Sequence, residues 1–307
     1  MPERPILVTG ANGRLGLALS RRLAEANPPR GVRAIVRSER AAAAVRALPE
    51  HARPQVAIAD YADPDSIARQ ADGCDAAVHL VGILRETRAN RYVDAHERAC
   101  EALAAAADRC GLRRIAALSI LGASVGSDNA CLASRARADA ILLGSKTPAV
   151  IIRVPMVLGA GDPASAALER HARGPRARLV RGGASLGQPI AARDVVSALV
   201  AALDRPGLDD AVLELAGPES LPHRAIVERA AALLGTRVRF ASIPGPIAYA
   251  AAWFAERASA DPPITRAMLG VLERDDAIDP EPARARLGIE LTPLDTALRE
   301  ALLGGGR

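Results

Sequence analysis

Between Arg4 and Gly16 the chain reads Arg-Pro-Ile-Leu-Val-Thr-Gly-Ala-Asn-Gly-Arg-Leu-Gly, and this stretch limits what can follow it. Ile6, Leu7 and Val8 form a short apolar run of strand-forming residues. Leu17 to Ala24 then repeats its apolar residues with helical spacing. Strand, tight turn and helix are therefore expected in that order. Gly10, Gly13 and Gly16 punctuate the turn at intervals of three. A glycine at the first position allows the sharp turn, and one at the second removes a side chain between backbone and pyrophosphate. The third is expected to let the helix lie close on the strand. The helix N-terminus would then aim amides and its positive dipole end at phosphates. The pattern predicts a dinucleotide cradle made by Thr9, Gly10, Asn12, Gly13, Arg14, Leu15 and Gly16.

The rest of the first half keeps the same rhythm. Apolar strand patterns recur at 31–36, 55–60, 75–82, 113–119, 148–154 and 211–216, with helical patterns between them. Asp63 is the expected cap of a helix starting at Pro64, and a long helix is expected over 91–110. This alternation predicts an α/β fold, a Rossmann doubly wound parallel sheet with a smaller, mostly helical C-terminal unit on the substrate side. The expected division is 1–160 together with about 190–217 for the dinucleotide-binding domain. The smaller unit takes 161–189 and 218–307. Gly- and Pro-rich stretches at 159–163, 174–175 and 182–189 read as lid or substrate-side loops.

The end of the second strand bears on the choice of nucleotide. An acid there would hold ribose hydroxyls, but Val36 occupies that place and Arg37 and Ser38 follow. A guanidinium and a hydroxyl suit a 2′-phosphate, and Arg14 is within reach of the same group. NADP(H) is therefore expected over NAD(H). Val81 and Gly82 end the fourth strand beside the expected ribose, while His79 inside that strand reads as a structural core residue.

Composition narrows the remaining classes. The net charge of +5 comes from scattered arginines interleaved with acids, and Lys146 is the one lysine. With one Trp, three Tyr and two Phe there is little to stack on bases, so nucleic acid is not expected as a partner. Cys74, Cys100, Cys110 and Cys131 form no Cys-x-x-Cys pair, which predicts no metal site and a reducing, cytoplasmic setting. Neither a signal peptide nor a membrane-spanning run is evident. Trp253 and Phe254 lie close together in the apolar stretch 245–260. That stretch reads as a helix packed on the smaller unit; the alternative is a patch for a partner protein or a peripheral membrane contact.

The pattern Thr-Gly-x-x-Gly-x-x-Gly from Thr9 to Gly16 resembles the short-chain dehydrogenase/reductase superfamily in its extended or atypical branch. Further pieces are similar to that branch: the stretch His79 to Glu86, the stretch Arg153 to Asp162 with Val154 in place of a proline, and Gln188 to Val195. Thr265 to Asp279 resembles atypical members akin to the NADPH-holding accessory subunit of respiratory complex I. The resemblance implies that Asp60 and Tyr61 contact the adenine and that Pro155 and Val157 border the cofactor. It also implies a catalytic hydroxyl near Ser119, with Ser124 in reach, and a Tyr-x-x-Ser-Lys helix. Here Cys131 stands in the tyrosine place and Arg135 in the lysine place, with Ser134 and Asp139 keeping the register. A thiol is shorter than a phenol, and arginine does not titrate. Cofactor binding is therefore expected to survive and the usual proton relay is not. Tyr92 and His96 are the other acids to weigh, although a helix face packed on the core explains both. Two readings stay open. One is a protein that holds NADP(H) for a structural or partner-binding role. The other is an oxidoreductase or epimerase acting on a carbonyl, sugar or isoprenoid-like small molecule.

Overall fold

The computed structural model describes residues 4–304; the terminal residues 1–3 and 305–307 of the expected two-unit division lie outside them. The first half alternates as its apolar periodicity requires. Strand β1 (Ile6–Thr9) runs into α1 (Arg14–Ala24), then β2 (Val32–Val36), α2 (Glu39–Arg46), β3 (Gln55–Ile58), α3 (Pro64–Ala71) and β4 (Ala76–His79). A π-helical turn over Val93–Arg98 passes directly into α4 (Ala99–Cys110). Next come β5 (Ile115–Ile120), α5 (Ala130–Leu143) and β6 (Ala149–Val154). Beyond β6 lie β7 (Val157–Leu158), α6 (Pro163–Arg173), β8 (Arg176–Val180), β9 (Leu186–Gly187) and β10 (Ile190–Ala191). They lead into α7 (Ala192–Asp204) and β11 (Ala211–Glu214). The chain ends through β12 (Leu221–Pro222), α8 (His223–Leu233), β13 (Arg239–Ile243), α9 (Gly245–Ala258), α10 (Arg266–Leu272), α11 (Glu281–Leu287) and α12 (Leu294–Leu303).

Seven strands form one sheet in the order β3-β2-β1-β4-β5-β6-β11, and every pairing is parallel. Alternation along the strands feeds two helix layers. Ile6 and Val8 face a core shared with α1, α2 and α7, while Leu7 faces α3, α4 and α5. Many contact residues are alanines, such as Ala102, Ala106 and Ala107 of α4, so aliphatic side chains fill a core with few aromatics. The capping signals act as read: Asp63 accepts from the Asp65 amide at 3.0 Å ahead of Pro64.

The second half departs from the sequence reading in three places. The Gly- and Pro-rich stretches expected as loops frame short regular elements: α6 follows Gly161, and β8 follows Pro175. Strand β8 pairs with β13, about sixty residues later in the chain, in a small parallel sheet of its own. Helix α11 belongs to the larger core: Ala283, Leu287 and Ile289 pack with α7 and α1 residues, while Leu294 and Leu298 of α12 join the smaller cluster with α6 and α8.

Candidate functional site

Strand β1 lies between β2 and β4, and the chain changes helix layer there. In such sheets a crevice opens beyond the carboxyl ends of these strands. The glycine turn occupies that crevice. Gly10 sits at φ +73°, and a Cβ there would stand 3.1 Å from the Leu80 carbonyl carbon. Gly13, the residue before α1, has no side-chain cap at its helix end, and α1 has no acid in its first turn. The first-turn amides therefore face the crevice without a competing carboxylate, which fits a pyrophosphate. At Gly16 an added Cβ would lie 2.6 Å from the Ala11 carbonyl oxygen, so the missing side chain lets the helix close on the turn that leaves β1.

Tyr61 braces the turn from below. Its hydroxyl accepts from the Gly10 amide at 3.0 Å and donates to the Ile35 carbonyl at 2.8 Å. Burial raises its pKa above the usual phenol value, so it stays protonated in this role. Asp60 accepts from the Ala62 amide at 3.0 Å, fixing the loop after β3. At the end of β2, Arg37 lies 5.9 Å above the Tyr61 ring and donates to Asn90 Oδ1 at 3.2 Å. Among the described residues Arg37 has no carboxylate partner. Ser38 accepts from the Ala41 amide as the cap of α2, which leaves its own proton free to donate.

The floor of the crevice is formed by a buried polar network. Thr9 Oγ1 meets His79 Nδ1 at 2.8 Å, and His79 Nε2 lies 3.5 Å from the Cys100 sulfur. Burial, reinforced by the Arg135 charge, pulls the His79 pKa down to about 3, so the ring is neutral. Arg135 reaches up from α5 and donates to the carbonyl of Val81 at 2.8 Å and to that of Leu118. Gly82 makes room for it: a Cβ there would stand 2.9 Å from Arg135 Nη1. The guanidinium thus closes the gap between the ends of β4 and β5. Its Nε is buried without a partner among the described residues. Ser119 Oγ is also buried and unpartnered; the Asp139 carboxyl faces it, but no hydrogen bond closes by distance and angle.

Cys131 lies on the same helix but is not part of the open crevice. It is 0% exposed, and its sulfur sits 3.7 Å from the Ile83 carbonyl. Burial pushes the thiol up to about 11, against the opposing pull of the facing Tyr92 hydroxyl and the Arg135 charge. Tyr92 donates to the Leu84 carbonyl at 2.8 Å and stacks on His96 with ring centroids 5.4 Å apart. His96 is enclosed, with Nε2 at 3.1 Å from both the amide and the carbonyl of Ile83. The π-helical turn carries His96 inward, and Tyr92, the residue before it, is buried beside it, as the core-packed reading of that face expected.

The outer wall comes from the second half. Pro155 and Val157 follow β6, and Val157 pairs with Ile190. Arg14 crosses to this wall, where its guanidinium packs on Gly161 (a Cβ there would stand 2.7 Å from Nη2). Two residues not singled out from sequence also meet here. The Arg274 guanidinium lies against Gly122, just past β5, and its Nη1 has no partner among the described residues. The contact of Arg274 with Gly122 arises only when distant elements fold together.

The NAD(P)H-binding family matches residues 10–206, well over half of the chain. The mitochondrial NADH dehydrogenase [ubiquinone] 1 alpha subcomplex subunit 9 of Arabidopsis thaliana is 31% identical over 199 residues, covering 63% of this chain and 49% of that protein. The chain therefore spans about half the length of this relative. The ceramide reductase of Caulobacter vibrioides is 26% identical over 242 residues, covering 78% of this chain and 74% of the relative. Among solved structures, the UDP-glucuronic acid 4-epimerase from Bacillus cereus, in complex with UDP-glucuronic acid and NAD, superposes with a TM-score of 0.74 at 17% identity. That superposition covers 97% of this chain and 98% of the epimerase, and it shows a shared fold. The chain belongs to the NAD(P)H-binding family, with the Rossmann fold of the epimerase-like short-chain dehydrogenases/reductases.

Proposed function

We propose that this protein holds NADP(H) as a bound nucleotide without running the superfamily's proton relay. The enclosed Cys131 carries the reading. A fully buried thiol with its pKa raised to about 11 neither meets a substrate oxygen nor gives up a proton near neutral pH. Arg135 adds support, because its guanidinium is fastened to the Val81 and Leu118 carbonyls. We assign the pyrophosphate to Thr9 through Gly16, and the adenosine end to Arg37, Ser38, Asp60 and Tyr61. The nicotinamide ribose is assigned to Val81, Gly82, Arg135, Pro155 and Val157. The preference for NADP(H) rests on Arg37, a cation at the end of β2 with no acid beside it, and more weakly on Arg14, whose guanidinium leaves the glycine turn toward the outer wall at Gly161. The similarity to a subunit of NADH dehydrogenase supports a role as an assembly partner of another protein. We also assign 161–189 and 218–307 to a substrate-side unit, with α11 docked onto the nucleotide-binding core.

The purified protein is expected to carry NADP(H) and to bind it about tenfold or more tightly than NAD(H), the scale of one lost charge-assisted pair. It should consume none against a panel of aldehydes, ketones and nucleotide sugars. Equal affinity for the two nucleotides would remove the preference. Turnover of any panel member would replace the binding reading with the second one.

That second reading is an NADP(H)-dependent oxidoreductase or epimerase acting on a carbonyl, sugar or isoprenoid-like substrate. Ser119 favours it, a hydroxyl at the end of β5 that closes no hydrogen bond, although at 2% exposure it must be uncovered to reach a substrate. The likeness to a ceramide reductase across most of both chains favours it as well. Bound NADPH would supply the hydride, and Ser119 would orient the substrate oxygen. Under this reading the acid is not Cys131, so Cys131→Ala leaves reductase activity unchanged. A large loss of activity with nucleotide affinity intact would make the thiol a working acid.

A further inference from the structure

Helix α9 is built the wrong way round for a helix facing water. Its buried residues are the small Ala248 and Ala252, one turn apart. The outward positions Ile247, Ala250, Ala251, Phe254 and Ala258 follow one another at helical spacing. Ile247 is 60% exposed and Phe254 66%. The helix packs on the smaller unit as expected, but only its alanines fit against the thin cluster of Leu269, Val180, Ile243 and Ile264. Leu272 of α10, the helix that packs on α9, is also exposed, at 51%. Small residues toward the protein and large apolar ones outward are what a helix shows to lipid.

The aromatic residues concentrate in the same place. Of six in the chain, Tyr249, Trp253 and Phe254 lie on α9. Trp253 meets Phe254 edge-on at 4.8 Å, and the Arg257 guanidinium stacks 3.7 Å from the Trp253 ring centroid. A tryptophan and an arginine side by side on an apolar helix match the chemistry of a bilayer's headgroup layer.

Charge points the same way. Residues 173–183 and 236–258 contain seven arginines and one carboxylate, Glu256, which is held by Arg266 at 2.9 Å. Arg176, Arg178, Arg181, Arg237, Arg239 and Arg257 have no ion-pair partner among the described residues. Arg176 and Arg239 are directly opposite in the β8–β13 register. Arg176, Arg178 and Val180 alternate onto one face, and Val180 packs beneath α9. The arginine face and the apolar helix are therefore contiguous. No described helix is long and apolar enough to cross a membrane. With 14 residues, α9 extends about 21 Å, short of a bilayer core but able to lie along its surface.

We propose that α9 and the arginine face of β8 and β13 dock onto an anionic phospholipid bilayer, with Ile247 and Phe254 among the acyl chains and the arginines on the headgroups. Trp253, the only tryptophan, is a built-in reporter. The full chain is mixed with vesicles of equal parts phosphatidylglycerol and phosphatidylcholine, then with pure phosphatidylcholine. Flotation and a blue shift of the tryptophan emission are expected with the anionic vesicles, weakening as salt rises. The Ile247→Glu/Phe254→Glu variant should bind about tenfold or more weakly, and Arg176→Glu/Arg239→Glu should lose the preference for anionic lipid. Both variants should keep nucleotide affinity, which shows that they fold. Absence of flotation and of an emission shift in the unaltered protein overturns the proposal. So does unchanged vesicle binding by the Ile247→Glu/Phe254→Glu variant. If the protein instead self-associates in solution, and Phe254→Glu abolishes that association without any lipid binding, the face is a protein interface and the proposal fails.

Discussion

Burial pulls His79, in the crevice floor, and His96, enclosed beside Ile83, down to about 3 from the usual 6.5. Both are neutral when folded and free to take a proton when unfolded. Between pH 6.5 and 3 the unfolded chain therefore binds protons that the folded one refuses, and stability falls as pH falls. At pH 5 each histidine costs about 2 kcal/mol relative to neutral pH. Urea unfolding at pH 7 and pH 5 should show this loss, and His79→Gln should flatten part of the slope. A pH-independent midpoint would mean that the rings are not held neutral. The place of His79 in an apolar strand was enough to read it as a core residue. Its partners Thr9 and Cys100 were not legible, because they are brought to it by β1 and α4. The same holds for Gly16, whose need for a missing side chain is plain from its spacing. The identity of its neighbour, the Ala11 backbone, depends on how tightly the turn closes.

At the scale of elements, α5 shows what local sequence conveys and what it does not. Asn129 caps the helix, its Oδ1 accepting from the amides of Cys131 and Leu132 at 3.0 and 3.3 Å. Its Nδ2 also donates to the Ala267 carbonyl of α10 at 2.8 Å, a contact invisible to any local pattern. Asn129→Ala should lower stability by about 1–2 kcal/mol through the lost cap. It should also release α10, seen as faster proteolysis at the loops flanking α9 and α10. Unchanged proteolysis would show that α9 holds this region without the tie. Elements fixed by contiguous residues, such as α1 after its glycines and α3 after Asp63-Pro64, were legible in the sequence. The π-helical turn over Val93–Arg98 and the β8–β13 pair were not. The first depends on burying Tyr92 and His96, and the second on strands far apart in the chain. The outward face of α9 escaped for a related reason: apolar content alone does not say which side of a helix finds a neighbour.

For the molecule as a whole, a nucleotide held only by the folded chain must raise its stability. At a concentration one hundred times the dissociation constant the gain is about 2.7 kcal/mol. Thermal unfolding with matched concentrations of NADPH and NADH should show the larger upward shift for NADPH. Arg37→Glu should bring the two shifts together. Retention of the difference in that variant would move the 2′-phosphate away from the end of β2 and toward Arg14 alone.

One feature of α5 reaches further. It is fastened along its length: to α10 through Asn129, to the ends of β4 and β5 through Arg135, and to β6 through the pair of Asp139 with Arg153 at 2.9 Å. A single rod thus touches both the underside of the crevice and the platform beneath α9. Thermodynamic reciprocity follows for any two ligands that meet through it. Whatever factor a surface bound at α9 applies to nucleotide affinity, the nucleotide must apply to the grip on that surface. Occupancy of one end becomes a measure of occupancy at the other.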